Sequence, residues 1–127
     1  MYNHMVAHIP DDRQADRLLH ALSDATRRDI VRRAMTGAHS VSSLAARYPM
    51  SYAAVQKHVA VLEEVGLVTK ERRGRRRLVR TDIERVRAAA RVLDRLEAVW
   101  RRRIERMDDL LAHQEASPPT RGEDPCP

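Results

Sequence analysis

A cluster of basic side chains is the feature of this sequence most able to do chemistry. Between residues 70 and 80 there are seven basic residues and one acid, Glu71, so the local charge of +6 equals the formal net charge of the whole chain. A charge excess focused in this way favours binding of a polyanion. The arginines crowded around Gly74 are Arg72, Arg73, Arg75, Arg76 and Arg77.

The basic cluster is predicted to lie on a β-hairpin. Residues 67–69 and 78–81 contain the branched and apolar side chains typical of short strands, and Gly74 between them marks a turn. The hairpin therefore carries its arginines at and near the tip.

Just before this hairpin, the sequence predicts a helix that could read a nucleic-acid groove. Ser51 follows Pro49 and can cap a helix that continues to Gly66. Its apolar stripe is predicted to be buried, and the residues opposite that stripe point outward together. The stripe consists of Val55, Val59 and Leu62, and the outward residues are Tyr52, Ala53, Gln56, Lys57 and Ala60.

The outward side chains have the chemistry of base and phosphate contacts. A small Ala53 permits close approach, Gln56 can pair with a base edge, and Lys57 can contact guanine or phosphate. Tyr52 can bond a phosphate or press on a thymine methyl group, and Ser51 at the start of the helix is also predicted to contact DNA. His58 lies at the edge of the apolar stripe, where it could either pack in the protein or bond a phosphate.

Three further helices are predicted before the reading helix. Asp11 or Asp12 can cap helix 1, Asp24 can cap helix 2, and Ser40 or Ser42 can cap a short helix 3. Helix 2 is expected to close at Gly37, and Pro49 stops helix 3. Two short helices joined by a tight turn have the proportions of a helix-turn-helix. Arg27 and Arg28, in the first turn of helix 2, could also reach a nucleic-acid backbone.

A long final helix follows the hairpin, opening at Asp82 and presenting one apolar face along about eight turns. A face of this length would stay wet in a monomer, which predicts a homodimer formed by helices 1 and 5. The alternative is that the face folds back on its own core. The predicted dimerisation residues are Leu18, Leu22, Val86, Leu93, Leu96, Trp100, Ile104, Met107 and Leu111.

These elements predict one mainly α domain of winged helix-turn-helix type with a small β wing, in the order α1-α2-α3-α4-β-β-α5. Residues 1–10 are expected to form a flexible arm, residues 11–113 the DNA-binding and dimerisation domain, and residues 114–127 a disordered tail. That tail contains four of the six prolines and the single cysteine, Cys126. One cysteine excludes an intrachain disulfide and a four-thiolate metal site.

Composition argues against other classes of protein. No apolar run approaches the roughly 18 residues that span a bilayer, and the N-terminus lacks a signal-peptide pattern, so a cytoplasmic protein without membrane contact is expected. No nucleophile and base pair or glycine-rich phosphate loop stands in a plausible context. An enzyme is therefore not expected, and no cofactor is predicted.

Three segments carry a resemblance to a known family. They are ALSDATRRDIV at residues 21–31, SVSSLAARYPMSYAAVQKHVAVLEEVGLVTKERRGRRRLV at residues 40–79, and the later Trp100 and Leu110-Leu111. Together they resemble the ArsR/SmtB family of winged-helix repressors over about residues 18–111. The resemblance implies a homodimer that binds an operator through helix 4 and releases it on sensing a signal.

The family's metal ligands are missing from this chain. Metal sensors of one type carry Cys-Val-Cys in helix 3, where this sequence has Ser40, Val41 and Ser42. Sensors of a second type use Asp, Glu and His of the long helix, where this chain has a single histidine, His113, four residues after Asp109. We predict no metal site, although a weak site at Asp109 and His113 stays open, and an unidentified small-molecule inducer stays possible.

The function expected from the sequence is that of a double-stranded DNA-binding transcriptional repressor of a pseudo-palindromic operator. Two alternatives remain open. One is a sequence-tolerant chromosome-organising protein held by the wing, and the other is a module that uses the helix and hairpin to bind a protein or an anionic membrane surface.

Overall fold

The computed structural model describes residues 10–116. This part of the chain folds into five helices and three strands, in the order α1 (Asp12–Ala21), α2 (Ala25–Met35), β1 (His39–Ser40), α3 (Val41–Ala45), α4 (Tyr52–Glu64), β2 (Val68–Arg73), β3 (Arg76–Thr81) and α5 (Ile83–Ala116). The predicted fold class and helix order are confirmed. Most of the predicted arm and tail lies outside the described residues.

Residues 10–92 belong to one compact unit, and residues 93–116 to a second, which is the C-terminal part of α5. In the first unit, short polar side chains fix where each helix begins. Asp11 caps α1 by accepting from the Gln14 amide at 2.8 Å, and Asp24 caps α2 by accepting from the Arg27 amide at 3.0 Å. Such caps satisfy amide groups that have no partner inside the helix.

The two serine caps set the proportions of the helix-turn-helix. Ser40 Oγ accepts from the Ser43 amide at 3.0 Å, and Ser51 Oγ accepts from the Ala54 amide at 3.1 Å. Ser40 rather than Ser42 therefore begins α3. Only residues 46–51 separate this five-residue helix from α4, which begins at Tyr52.

Gly66 ends α4 as predicted, and its backbone conformation explains why. Its φ of 82° lies in the left-handed region, and the Gly66 and Leu67 amides donate to the Glu63 and Leu62 carbonyls, each at 3.0 Å. This is the Schellman pattern of a glycine-ended helix. Helix α2 also ends just before its predicted glycine, with Thr36 as the C-cap, but Gly37 does not take up the left-handed conformation of Gly66.

The wing is part of a three-stranded antiparallel sheet with strand order β1-β3-β2. The sequence predicts only the hairpin. The additional strand β1 pairs His39 with Val79 and Ser40 with Leu78. Two residues carry no detectable alternation of polar and apolar side chains, so only the paired partner reveals this strand.

The core of the first unit is built almost entirely from aliphatic side chains. Leu18 is 2% exposed and packs in this core, so its assignment to the dimer face is corrected: it has almost no surface left for a partner. Leu22 and Val86 also pack against the core but remain partly exposed. The fully buried large side chains include Ile30, Leu44, Val55, Val59, Leu62, Leu67, Val68 and Val79.

Helix α5 runs through Ala116, past the predicted domain boundary at residue 113. The first residues after it that oppose a helix are Pro118 and Pro119. A proline removes an amide donor and restricts the residue before it, whereas nothing before position 117 has that effect. Residues 114–116 of the predicted tail are thus helical in this structure.

Candidate nucleic-acid interface

Helix α4 presents the face that the sequence predicts. Its buried residues are Val55, Val59 and Leu62, as predicted, and each of them is fully buried. The opposite side chains are exposed, and Tyr52, the largest of them, is 48% exposed. A row of polar and small side chains is thus held outward by an apolar row beneath it.

A polar network holds the helix-turn-helix turn on α2. The Tyr48 hydroxyl donates to Asp29 Oδ2 at 2.6 Å, and Arg33 Nε donates to the same oxygen at 2.7 Å. These bonds hold the pKa of Asp29 below its ordinary value of 3.8, the Tyr48 bond contributing most. Burial, together with the Asp29 carboxylate, raises the pKa of Tyr48 to about 12. Tyr48 therefore stays neutral and anchors the segment that leads into α4.

The wing neutralises part of its own charge. Glu71 Oε1 lies 3.0 Å from Arg80 Nε and 3.7 Å from Arg73 Nη2, and Lys70 Nζ lies 3.6 Å from Glu63 Oε1. Arg72 makes one long contact, 3.5 Å, with the Gly74 carbonyl. Among the described residues, Arg75, Arg76 and Arg77 have no carboxylate within ion-pair distance. Within residues 10–116, the wing charge that no carboxylate neutralises therefore lies on these three side chains and on Arg72.

These three arginines line a cavity together with the exposed side of α4. The cavity has a volume of about 570 Å³ and lies between α3, α4 and the wing. Tyr52 and Gln56 contribute its α4 wall. Its full lining is Ser40, Val41, Ser42, Tyr52, Gln56, Lys70, Arg75, Arg76 and Arg77. Hydroxyl, amide and guanidinium groups are all donors suited to phosphate oxygens.

The other predicted interface residues lie outside this cavity lining. Ala53 and Lys57 are exposed elsewhere on α4, and the Ser51 hydroxyl is engaged in the helix cap. Arg72 and Arg73 are exposed on β2, on the strand opposite Arg76 and Arg77.

His58 points away from the cavity, toward α2. Its Nδ1 accepts a hydrogen bond from Arg27 Nη1 at 3.2 Å and lies 3.9 Å from Asp24 Oδ2. In this structure His58 is therefore engaged within the protein.

Arg27 and Arg28 both donate to backbone carbonyls of the protein, Arg27 half-buried and Arg28 exposed. Arg27 donates to the Ala21 carbonyl at 2.7 Å and the His20 carbonyl at 3.1 Å, and Arg28 donates to the Leu22 carbonyl at 2.8 Å. Both side chains satisfy carbonyls at the end of α1, where helical partners are missing. The backbone role considered for them from the sequence competes with this capping role.

In the second unit, α5 carries a run of exposed apolar side chains. Leu96 is 66% exposed and Trp100 is 58% exposed in the single chain. The run also includes the predicted Leu93, Ile104, Met107 and Leu111, and two residues missing from the predicted set, Val99 and Leu110.

Within residues 10–116, no group of three or more His, Cys, Asp or Glu side chains is placed to hold a metal ion. No helix in the same range is long and apolar enough to cross a membrane.

Two relatives are similar enough to this chain to establish its family. Over 92 residues the chain is 38% identical to the HTH-type transcriptional regulator Rv2034 of Mycobacterium tuberculosis, a match that covers 72% of this chain and 83% of the relative. A solved ArsR-like transcriptional regulator from Rhodococcus sp. RHA1 is 34% identical, with a TM-score of 0.67, over 77% of this chain and 92% of that one. The chain belongs to the ArsR family of winged helix-turn-helix regulators.

The ArsR assignment rests on these individual relatives, since no model of a protein family matches the chain. The fold also matches a homodimeric winged helix-turn-helix DNA-binding domain from Mycobacterium bovis, with a TM-score of 0.56 and 23% identity over 72% of this chain and 91% of that one. The Mycobacterium tuberculosis and Rhodococcus relatives are both named as transcriptional regulators. This ArsR-family chain is therefore a transcriptional regulator of the helix-turn-helix type.

Sequence reasoning missed one part of the interface and one internal contact of α4. Ser42 and Val41 line the cavity because β1 pairs with β3 and brings the start of α3 against the wing. The sequence predicts only a helix cap in the 40–42 segment and no contact with the wing. The internal partners of His58 were also missed, because Arg27 lies 31 positions away along the chain.

Proposed function

We propose that this ArsR-family regulator binds double-stranded DNA in a sequence-specific manner and represses transcription from a pseudo-palindromic operator. The observation that carries the proposal is the cavity in which Arg75, Arg76 and Arg77 meet Tyr52 and Gln56 of α4. Three guanidinium groups without a carboxylate partner, placed beside a groove-sized helix, suit a ligand that presents phosphates and base edges together.

The two halves of the interface have different tasks in this proposal. The wing arginines contact phosphates and supply affinity that is independent of sequence and sensitive to salt. Gln56 and Lys57 contact base edges, with Ala53 permitting close approach and Tyr52 available to a phosphate or a thymine methyl group. A good paired contact discriminates between bases by roughly 1–3 kcal/mol.

The proposed active form is a homodimer. The exposed apolar run on α5, from Leu93 to Leu111, is larger in extent than the isolated apolar residues of a typical monomer surface. A second copy of the chain would cover it and place two reading helices in successive major grooves, about 34–36 Å apart. The homodimeric fold relative from Mycobacterium bovis supports this arrangement.

We further propose that the regulator does not respond to a metal. Ser40 Oγ is engaged in capping α3, and Ser42 contributes a hydroxyl to the cavity lining. Neutral hydroxyls lack the soft thiolate character that thiophilic metals require. In this chain the start of α3 is instead suited to an oxyanion.

Selection of bound duplexes from a random DNA pool, at physiological salt, tests the proposal. We expect a palindromic consensus, with Gln56→Ala relaxing the preference at one position of each half-site. Arg76→Ala should weaken all duplexes alike and lower the salt slope by about 1. If the recovered duplexes show no enriched sequence and all bind with equal affinity, the protein is not an operator-specific repressor. It would then be a sequence-tolerant chromosome-organising protein. Competition by anionic vesicles at equal charge would overturn DNA as the ligand.

A further inference from the structure

One guanidinium group connects α1 to the middle of the reading helix. Arg27 donates to two carbonyls at the end of α1, Ala21 at 2.7 Å and His20 at 3.1 Å, and its Nη1 donates to His58 Nδ1 at 3.2 Å. Because a guanidinium is planar and its donors are fixed in one plane, these bonds restrict the position of α4 relative to the last turn of α1.

This contact is a hydrogen bond only when Nδ1 of His58 carries no proton, because arginine has donors only and Nδ1 must then accept. Protonation of Nδ1 would remove the acceptor and place a second positive group against Arg27. The imidazolium would then be attracted to Asp24, whose Oδ2 lies 3.9 Å away and already accepts from the Arg27 amide at 3.0 Å.

The surroundings of His58 allow it to contact either Arg27 or Asp24. The side chain is 23% exposed, so a proton can reach it. The charged groups that contact it are Arg27 on α2 and Asp24 at the cap of α2, whereas α1 contributes the two carbonyls through Arg27. The remaining titratable group of the α1 end is the exposed His20.

We propose that Arg27 and His58 are positioning residues for DNA recognition: their hydrogen bond holds the reading helix against α1, and protonation of His58 breaks it and weakens operator binding. This inference rests on the proposed DNA-binding function. It gives the helix that reads bases a direct connection to the helix predicted to take part in the dimer.

Two substitutions at position 58 distinguish the effect of losing the Arg27–His58 hydrogen bond from the effect of losing the folded structure. His58→Asn keeps an acceptor oxygen near the place of Nδ1 and does not titrate, whereas His58→Leu keeps bulk and removes the acceptor. Arg28→Ala is the matched control, because Arg28 caps α1 through the Leu22 carbonyl and no hydrogen bond joins it to α4. Thermal unfolding of each variant, measured at both pH values used for binding, establishes that it is folded.

Operator affinity is measured by fluorescence anisotropy at about pH 7.5 and about pH 5.5, on either side of the range in which histidine ordinarily titrates. We expect the wild type to bind about fivefold more weakly at the lower pH, the magnitude of one hydrogen bond. His58→Asn should keep its affinity, and His58→Leu should be weak at both pH values. His20 is present in every variant, so it does not account for the difference.

The inference is overturned if His58→Asn shows the same pH profile as the wild type, or if folded His58→Leu binds as tightly as the wild type near pH 7.5. Should His58→Leu fail to fold, the comparison of the wild type with His58→Asn decides alone. A wild-type protein that binds no duplex preferentially at either pH would instead refute the proposed function, so the two failures are distinguishable.

Discussion

Arg72 and Arg77 occupy directly opposed positions across the β2–β3 hairpin, and Arg73 opposes Arg76 in the same way. Like charges placed opposite one another in an antiparallel pair destabilise it. The wing thus keeps an arrangement that costs stability in the free protein and that a polyanion would relieve.

We expect Arg77→Gln to affect thermal stability and DNA affinity differently. Removing one member of the opposed pair should leave thermal stability unchanged or slightly higher, while DNA affinity falls and the salt slope decreases by about 1. Calorimetry and anisotropy titrations at several salt concentrations measure both effects. Arg80→Gln is the control, because its guanidinium is already 3.0 Å from Glu71. Equal losses of affinity in the two variants would contradict the special role of the unpaired arginines.

Tyr48→Phe should destabilise the protein by about 1–2 kcal/mol, because it leaves the Asp29 carboxylate without its 2.6 Å hydroxyl donor. Urea denaturation measures the change. Tyr52→Phe removes an exposed hydroxyl that makes no hydrogen bond within the described residues, so it should change stability by less than about 0.5 kcal/mol. Equal effects at the two positions would show that the Tyr48–Asp29 bond is not formed in solution.

Stability should decrease as the pH falls below about 4. The pKa of Asp29 is held below its ordinary value of 3.8, chiefly by the Tyr48 hydroxyl and then by Arg33. The unfolded chain therefore takes up a proton at a higher pH than the folded chain, and acid favours unfolding. Urea unfolding at pH values between about 5 and 2 should show this slope. Asp29→Asn should reduce it, and an unchanged slope would mean that other carboxylates are responsible.

Gly66→Ala should destabilise the protein by about 1–2 kcal/mol, because φ at this position is 82°. An added Cβ would also lie 3.1 Å from Arg85 Nε. Gly37→Ala is the matched control, since its φ is not positive and no atom lies within 4 Å of an added Cβ. It should be neutral or stabilise by up to about 1 kcal/mol. Chemical denaturation compares them, and a neutral Gly66→Ala would contradict the left-handed helix end.

Leu93→Lys should convert the proposed dimer to a monomer, because it places a charge in the exposed apolar run of α5. Sedimentation velocity measures the mass. The control is Asp94→Lys, since adjacent helical residues do not share a face. If the Leu93→Lys variant is still a dimer, residue 93 does not lie in the dimer interface.

The helix order, the caps Asp24 and Ser51 and the buried row of α4 follow from the sequence, because each depends on neighbouring residues. Apolar spacing, Ser51 and Gly66 specify α4 without reference to the rest of the chain. The concentration of charge in the wing is likewise a property of the sequence.

Which of those charges are available to a ligand depends on contacts between distant parts of the chain. Glu63 and Glu71 engage three of the seven basic residues of the wing, leaving Arg72 on β2 and Arg75, Arg76 and Arg77 beside Gln56. The burial of Leu18, the pairing of β1 and the Arg27–His58 bond also join segments distant in sequence. Local periodicity carries no information about such partners, because packing alone determines which side chains meet.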